Sequence, residues 1–291
     1  MIAVLGLLGC SGSVLNGEQV VPGDVKADVF VLDVPQIGDD VVWVDGVFWV
    51  VSEAVGLVVS GQGQRLDLGY PGRGHFLWDD GGAVRIGVSG IGIFDDDGQQ
   101  LHAMAEGRIF SGANGMWVAG SQGRIFASDG RQWELDDPRR VATDGQRIVA
   151  LSCVLEICDV VELTDGGTRV LGVGDAAGGL GFWGDRVWWG LPSLDVDGSA
   201  GEVVSEDGLR VEGLPGDHLG REFGGGFTSG VTNWDLVPRR LRVVSLESDV
   251  VFAIDRHPGA GPVALNAAGS GLVIASPGWA GNGGAVFVVD P

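Results

Sequence analysis

Closely spaced carboxylates are the first residues of this sequence that suggest chemistry, because carboxylate oxygens are ligands that Ca²⁺ prefers. Asp95 and Asp97 stand in the run Asp-Asp-Asp-Gly, and Asp195 and Asp197 stand in the run Asp-Val-Asp-Gly. A calcium site needs about six to eight oxygens, and neither run offers so many. Asp-Gly is also favourable turn chemistry. We therefore interpret both runs as solvated turns, and we predict no metal and no other cofactor.

Side chains suited to catalysis are few. The chain has four histidines and one tyrosine, and it contains no recognised nucleophile motif. His102 alternates with apolar neighbours, as a strand residue does. The other three histidines lie near glycine or proline and are predicted to be loop residues: His75, His218 and His257. From these residues we predict that the protein is not an enzyme.

Aromatic side chains are the candidates for ligand binding, because their rings stack on sugars and anchor protein partners. Trp279 lies in a glycine-rich turn and Trp234 in an irregular segment, and both are candidate contacts together with Tyr70. The alternative for the two tryptophans is that they cap neighbouring structural units. Segment 213–232 is predicted to be the longest loop, and the apolar turn 154–157 would be a further contact patch if exposed.

Composition limits the fold and the partners. The 291 residues are 45% apolar and include 53 glycines, which suits one large all-β domain or two small ones. The formal net charge of −21 argues against nucleic acid and against anionic lipid head groups. We predict a partner that is a protein or a glycan, and a monomeric domain.

The N-terminal segment is an apolar run that ends in Leu7-Leu8-Gly9-Cys10. It resembles the lipobox of bacterial lipoproteins, in which the cysteine becomes the lipidated N-terminus. The resemblance implies a signal peptide over residues 1–9, a lipidated Cys10 with a tether up to residue 27, and export to the outer membrane or the cell surface. The lipid would be the one membrane contact. The alternative is a buried N-terminal strand with a free thiol.

The remaining cysteines, Cys153 and Cys158, form an even pair at the edges of a predicted hairpin turn. An even pair is typical of an oxidising compartment, and the turn brings the two Cα atoms within disulfide range. We predict a disulfide between them. A metal site is the alternative, but no histidine lies nearby in the sequence.

A degenerate repeat organises the chain. Its unit is an apolar run that ends in Ser or Pro, followed by a glycine turn and a second apolar run, and the starts lie about 30 to 44 residues apart. The runs are Val47–Ser52, Ala83–Ser89, Met116–Ser121, Arg147–Ser152, Arg186–Pro192, Gly230–Pro238 and Gly271–Pro277. Four short strands per unit at this period are typical of a β-propeller blade.

The prediction is an all-β, seven-bladed β-propeller over residues 28–291, with six or eight blades as alternatives. Runs such as Trp188-Trp189 are apolar on consecutive residues, so both faces of the strand must be buried, as between two blades. The last unit is one strand short, and the first strand, Asp28–Val34, has no unit of its own. We expect this N-terminal strand to complete the last blade and close the ring.

Three segments resemble the FG-GAP repeat, a strand–turn–strand unit that contains a Gly-Ala-Pro strand end. They are Leu191–Val204, Ile274–Val289 and His218–Phe227, the last of which is similar to the opening Phe-Gly strand of the repeat. The resemblance implies the seven-bladed head of integrin α chains, whose blades often hold calcium between their first two strands. The corresponding turns of this chain lack the spaced oxygens that calcium requires.

A weaker resemblance links Asn114–Leu135 to the Asp-box repeat of sialidase-like propellers. Asp129-Gly130 precedes Trp133 with a spacing one residue short of that pattern. The resemblance implies the same propeller architecture. It also implies an alternative activity on acidic sugars, for which Tyr70 is the one available tyrosine nucleophile.

We predict a cell-envelope lipoprotein that acts as a non-catalytic binding, adhesion or scaffolding module for a protein or glycan through its propeller loops. One alternative is a propeller enzyme acting on envelope carbohydrate, which clustered carboxylates with perturbed pKa values in a central pocket would favour. The other is a structural subunit of an envelope complex, which a large apolar patch on one side would favour.

Overall fold

A computed structural model describes residues 26–30, 32, 34–154, 157–193, 200–214, 216–230, 240–246, 251–255, 263–268, 271–277 and 284–290. Within these ranges the chain forms 28 β-strands and no helix, and hence no helix that could cross a membrane. The strands pair into seven four-stranded antiparallel sheets. The predicted all-β propeller of seven blades is therefore confirmed.

Each of blades 1 to 6 is a continuous stretch of chain. Blade 1 contains β2 (Asp40–Val44), β3 (Val47–Ser52), β4 (Leu57–Ser60) and β5 (Arg65–Asp67), and blade 2 contains β6 (His75–Asp79), β7 (Val84–Val88), β8 (Gly92–Phe94) and β9 (Gln100–Ala103). Blade 3 contains β10 (Arg108–Ala113), β11 (Met116–Ser121), β12 (Arg124–Ala127) and β13 (Gln132–Glu134), and blade 4 contains β14 (Pro138–Thr143), β15 (Ile148–Val154), β16 (Ile157–Thr164) and β17 (Gly167–Asp175). Blade 5 contains β18 (Leu180–Trp183), β19 (Arg186–Leu191), β20 (Glu202–Ser205) and β21 (Arg210–Glu212), and blade 6 contains β22 (Glu222–Gly224), β23 (Phe227–Ser229), β24 (Arg240–Ser245) and β25 (Val251–Asp255).

Blade 7 joins the two ends of the chain. It contains β26 (Ala264–Ala268), β27 (Gly271–Ser276), β28 (Ala285–Asp290) and β1 (Lys26–Phe30). Strand β1 pairs antiparallel with β28, with Asp28 opposite Val288, so the expected closure of the ring is confirmed. The strand ends earlier than predicted, because Leu32 and Val34 turn into the core between blades 7 and 1, where each is 4% exposed.

The hydrophobic core lies between neighbouring blades. On β19, Trp188 packs into the cluster shared with blade 6, and Trp189 packs into the cluster shared with blade 4. Both faces of this strand are buried, as the consecutive apolar residues indicated.

The innermost strands surround a central channel. Strands β2, β6, β10, β14, β18, β22 and β26 contact one another in ring order, and β26 returns to β2. Polar side chains join them: the Asp40 carboxylate accepts a hydrogen bond from the Leu77 amide at 2.7 Å, and the Asn266 side chain accepts one from the Trp43 amide at 3.0 Å. Because every blade starts with its innermost strand, the first residues of these strands gather at one end of the channel.

The sixth blade differs from the prediction. Segment 213–232 is not a single loop, since it contains β22 and β23. The second strand of this blade is β23, so the choice of 230–238 as the repeating run was wrong; residues 231–239 lie outside the described part of the chain. Strands β22 and β23 form a hairpin whose turn is Gly225-Gly226, with φ values of 54° and 85°. The prediction missed this hairpin because its sequence is rich in glycine.

Candidate functional site: the channel mouth and the outer surface of blade 4

The channel mouth is a cavity of about 520 Å³ at the end of the channel where the innermost strands begin. Its charged and titratable lining comes from five blades. These residues are Asp39, Asp40, Glu53, His75, Arg108, Arg140 and Glu222. Residues far apart in the sequence thus form one mixed-charge surface.

Asp40, the first residue of β2, is a structural acceptor. One carboxylate oxygen accepts from the Val41 amide at 2.9 Å, and the other accepts from the Leu77 amide of blade 2. Burial raises the pKa of Asp40 to about 7, and the nearby charges of Glu222 and Glu53 act in the same direction. The carboxyl group therefore holds two blades together while it resists ionisation.

The raised pKa of Asp40 predicts a pH-dependent stability. A carboxyl whose folded pKa exceeds its unfolded value stabilises the fold below about pH 4, and this contribution is lost as the pH rises through about 7. The Asp40→Asn variant cannot ionise, although it loses one acceptor. We expect its free energy of unfolding, relative to the wild type, to rise by about 1 to 2 kcal/mol between pH 5 and pH 8, allowing for water in the channel.

Urea denaturation at the two pH values measures this difference. Asp45→Asn is the matched control, because Asp45 is an exposed turn residue at the other end of the same hairpin. A difference between Asp40→Asn and the wild type that is constant with pH would contradict the assignment.

Asp39 and Glu53 extend the acidic side of the mouth. The Glu53 amide donates to the Asp39 carboxylate at 2.7 Å, and the Glu53 carboxylate accepts from the His75 amide at 2.8 Å. Desolvation within the mouth raises the pKa of Asp39 to about 6, and the Glu53 charge adds to the rise. The two carboxylates therefore repel each other at neutral pH.

His75 is not the loop residue that the sequence predicted. It begins β6 and is 6% exposed; the turn lies earlier, at residues 71–72. Its Nδ1 lies 2.6 Å from the Arg73 carbonyl oxygen, and its Nε2 has no hydrogen-bond partner among the described residues. Burial lowers the pKa of His75, so the neutral imidazole is favoured.

Arg140 and Arg108 form the basic side. Arg140 donates to the Glu222 carboxylate of blade 6 at 3.0 Å, across blade 5. Burial raises the pKa of Glu222, and the Arg140 charge opposes that rise. Arg108 lies over the Phe110 ring at 5.3 Å and has no ion-pair partner within the described residues. Burial and the charge of Arg140 lower its pKa, and the charge of Glu53 opposes them.

A second candidate site is the outer surface of blade 4. The four most exposed large apolar side chains in the described part of the chain lie here, at 64%, 73%, 61% and 63% exposure: Val154, Ile157, Val170 and Val173. We call them the blade-4 patch. Val154 pairs with Ile157, and Val173 pairs with Asp159, which shares the face of Ile157.

The blade-4 patch is exposed because blade 4 projects beyond blade 3. Strands β16 and β17 have eight and nine residues, whereas β12 and β13 of blade 3 have four and three. On the opposite face, Cys158 and Val160 are covered by the core shared with blade 5. The side chains that face blade 3 near the end of the hairpin have no neighbouring blade over them.

The predicted disulfide is present at this hairpin. Cys153 and Cys158 are paired residues of β15 and β16, and a disulfide joins them. It ties the two strands together beside the exposed Val154 and Ile157. Val154 and Ile157 are exposed, which is the condition under which this turn was predicted to be a contact patch; residues 155–156 lie outside the described ranges.

Of the other candidates from the sequence, Tyr70, Asp95 and Asp97 are described, and they lie outside both sites. Tyr70 packs against Phe94 with ring centroids 6.0 Å apart and does not line the channel mouth. Asp95 caps its own turn by accepting from the amides of Asp97 and Gln99. Within the described ranges, no three acidic, histidine or cysteine residues form a metal-binding group. The remaining candidates lie outside those ranges: Cys10, Asp195, Asp197, Trp234, Trp279 and His257.

The comparisons with known proteins concern the fold. No protein-family model and no curated protein matches the chain. Among solved structures, the seven-bladed β-propeller is similar to BamB from Moraxella catarrhalis, at 15% identity over 86% of this chain and 82% of that one, with a TM-score of 0.46. It is also similar to the PQQ-bound aldose sugar dehydrogenase from Streptomyces coelicolor, at 13% identity over 93% and 99% of the two chains, with a TM-score of 0.40. Because both TM-scores lie below 0.5, neither likeness carries an argument about this chain.

Proposed function

We propose that the protein is a non-catalytic docking module that binds a protein partner through the blade-4 patch, as a subunit of a cell-envelope complex. The observation that carries the proposal is the concentration of the four most exposed large apolar side chains on one projecting blade. Contiguous exposed apolar surface is typical of protein interaction sites. The disulfide strengthens the case, since a hairpin fixed in advance loses less conformational freedom on binding.

The envelope location is part of the proposal. A disulfide supports an oxidising compartment, and the lipobox-like run ending at Cys10 supports lipid anchoring. Cell fractionation tests the anchor, because replacing Cys10 should release the protein from membranes. An FG-GAP relationship is also proposed: the resembling Phe223-Gly224 lies in β22, the innermost strand of its blade.

Site-specific crosslinking tests the docking surface. A photoreactive residue at position 157 in the native host should give one discrete crosslinked species, and the Val173→Ser change should abolish it. We expect this loss because Val173 lies on the same face as Ile157: it pairs with Asp159, which is two residues from Ile157 along β16. The crosslinked chain is then identified by mass spectrometry.

The matched control is position 209, where an exposed leucine of blade 5 lies outside the blade-4 patch at 46% exposure. An equal yield of the same species from positions 157 and 209 would reject blade 4 as the docking surface. So would a crosslink at position 157 that persists in the Val173→Ser variant.

The second candidate function is an enzyme acting on envelope carbohydrate. It is favoured by the carboxyl groups of Asp39 and Asp40, whose pKa values of about 6 and 7 suit proton transfer near neutral pH. Against it, both oxygens of Asp40 already accept hydrogen bonds from backbone amides. Hydrolysis of envelope glycans by the wild type, lost in Asp40→Asn, would favour the enzyme.

A further inference from the structure

Arg108 presents to the channel mouth a cation that forms no hydrogen bond or ion pair within the described residues, although the charge of Glu53 attracts it from blade 1. Elsewhere in the described structure, Arg147 is satisfied by a bidentate pair with Glu206 and a bond to Glu162. Arg108 has no such partner, and Arg140 stands on the next innermost strand with a charge of the same sign. An anion beside Arg108 would relieve this repulsion and form charge-assisted hydrogen bonds.

The mouth has a positive pole at Arg108 and a negative pole on blade 1. Asp39 and Glu53 are neighbouring carboxylates, and a cation between them would relieve their repulsion. His75 begins the innermost strand of the blade between the two poles, and its buried Nε2 has no partner among the described residues. Because Nδ1 faces the Arg73 carbonyl, the neutral tautomer leaves Nε2 as an acceptor, and a ligand that brings an N–H group satisfies it.

We propose that the channel mouth binds a short zwitterionic peptide, with its carboxylate at Arg108 and its ammonium group at Asp39 and Glu53. The peptide amide N–H is the donor that suits His75. The cavity of about 520 Å³ lies in the range of small-molecule pockets, which is about 300 to 1,000 Å³.

The charge of the whole protein selects the zwitterion over a simple anion. With a formal net charge of −21, the protein repels any ligand whose own charge is negative. A carboxylate therefore reaches Arg108 most readily on a molecule that also carries a cation. This inference concerns a surface separate from the blade-4 patch, and it does not depend on docking.

Isothermal titration of the full chain with L-alanyl-L-alanine and its two blocked forms tests the site. We expect the free dipeptide to bind, and the affinity to fall at least tenfold when the N-terminus is acetylated or the C-terminus is amidated. These comparisons use the wild-type protein, so they do not depend on the folding of a variant. Equal binding of the acetylated form would indicate a simple anion site and overturn the proposal, as would equal binding of the amide or binding of none of the three.

The Arg108→Gln variant assigns the carboxylate pole. Its affinity for the free dipeptide should fall at least tenfold, and amidation of the dipeptide should then cost nothing further. Arg124→Gln is the matched control. Arg124 begins β12, an outer strand of the same blade, and its side chain is 70% exposed. An unchanged cost of amidation in Arg108→Gln, or an equal loss in Arg124→Gln, would overturn the assignment.

The Ile157→Ser and Val173→Ser changes should leave dipeptide binding intact, so failure of docking and failure of this site are distinguishable.

Discussion

Removal of β1 is expected to lower the melting temperature of the protein by about 6 to 12 °C. A variant that begins at Leu32 loses the five residue pairs between β1 and β28 and the contact of Phe30 with Phe48, whose ring centroids are 5.2 Å apart. At about 0.4 kcal/mol for each pair and about 1 kcal/mol for the rings, the loss is roughly 3 kcal/mol. One kcal/mol corresponds to about 2 to 4 °C in a domain of this size.

A synthetic peptide covering residues 24–34 should restore the loss, because it can add as a strand to the free edge of β28. Thermal unfolding with this peptide, with a scrambled version and with neither makes the measurement. A variant that begins at Asp24 keeps β1 and is the control for removal of the preceding residues. Equal melting temperatures for the two shortened variants would show that the strand does not close the ring.

The second large effect is expected from Gly190→Ala, because blades 5 and 6 meet backbone against backbone at this position. A Cβ atom on Gly190 of β19 would overlap the carbonyl group of Gly220. The same Gly220 oxygen accepts a hydrogen bond from the Gly179 amide at 2.8 Å, so it cannot move without breaking that bond. We expect a loss of about 3 kcal/mol or more, at the upper end for overpacked cores.

Gly166→Ala is the matched control. Gly166 lies in the turn between β16 and β17, where an added Cβ would meet no atom within 4 Å. Urea denaturation of both variants should show a large loss for position 190 and less than about 0.5 kcal/mol for position 166. Similar stability of the two variants would mean that the blades can separate here at little cost.

The blades could be predicted because each middle strand has a local pattern. The run Val47–Ser52 coincides with β3, since a strand buried on both faces is apolar at consecutive positions. The pattern failed in blade 6, where β22 and β23 are three residues each and are joined through glycines. Short strands leave too few residues for the alternation of a strand to be recognised.

The channel mouth could not be predicted, because no local pattern connects its residues. Asp40, His75, Arg108 and Glu222 are separated by tens of residues and meet only because each begins an innermost strand. Seen singly, His75 after a glycine resembles a loop residue. The usable signal was positional: a charged or titratable residue opens the first strand of several repeats.

The blade-4 patch was predicted in part. The apolar turn drew attention to Val154 and Ile157, but Val170 and Val173 look like ordinary core residues in the sequence. Their exposure depends on the shortness of the strands in blade 3, which is a relation between two blades and not a property of either segment. Sequence patterns within one unit do not report such relations.

The pairing of β1 with β28 also determines when the protein can finish folding. Its contacts join positions as distant as 26 and 290, nearly the whole length of the chain. Pairings between residues so far apart in sequence form slowly, because a long loop must close before any contact stabilises it. A nascent chain therefore carries β1 without a partner until β28 has been made and released. During that interval the six continuous blades are able to form, whereas blade 7 remains open and is the part of the molecule on which a chaperone or a foreign strand would act.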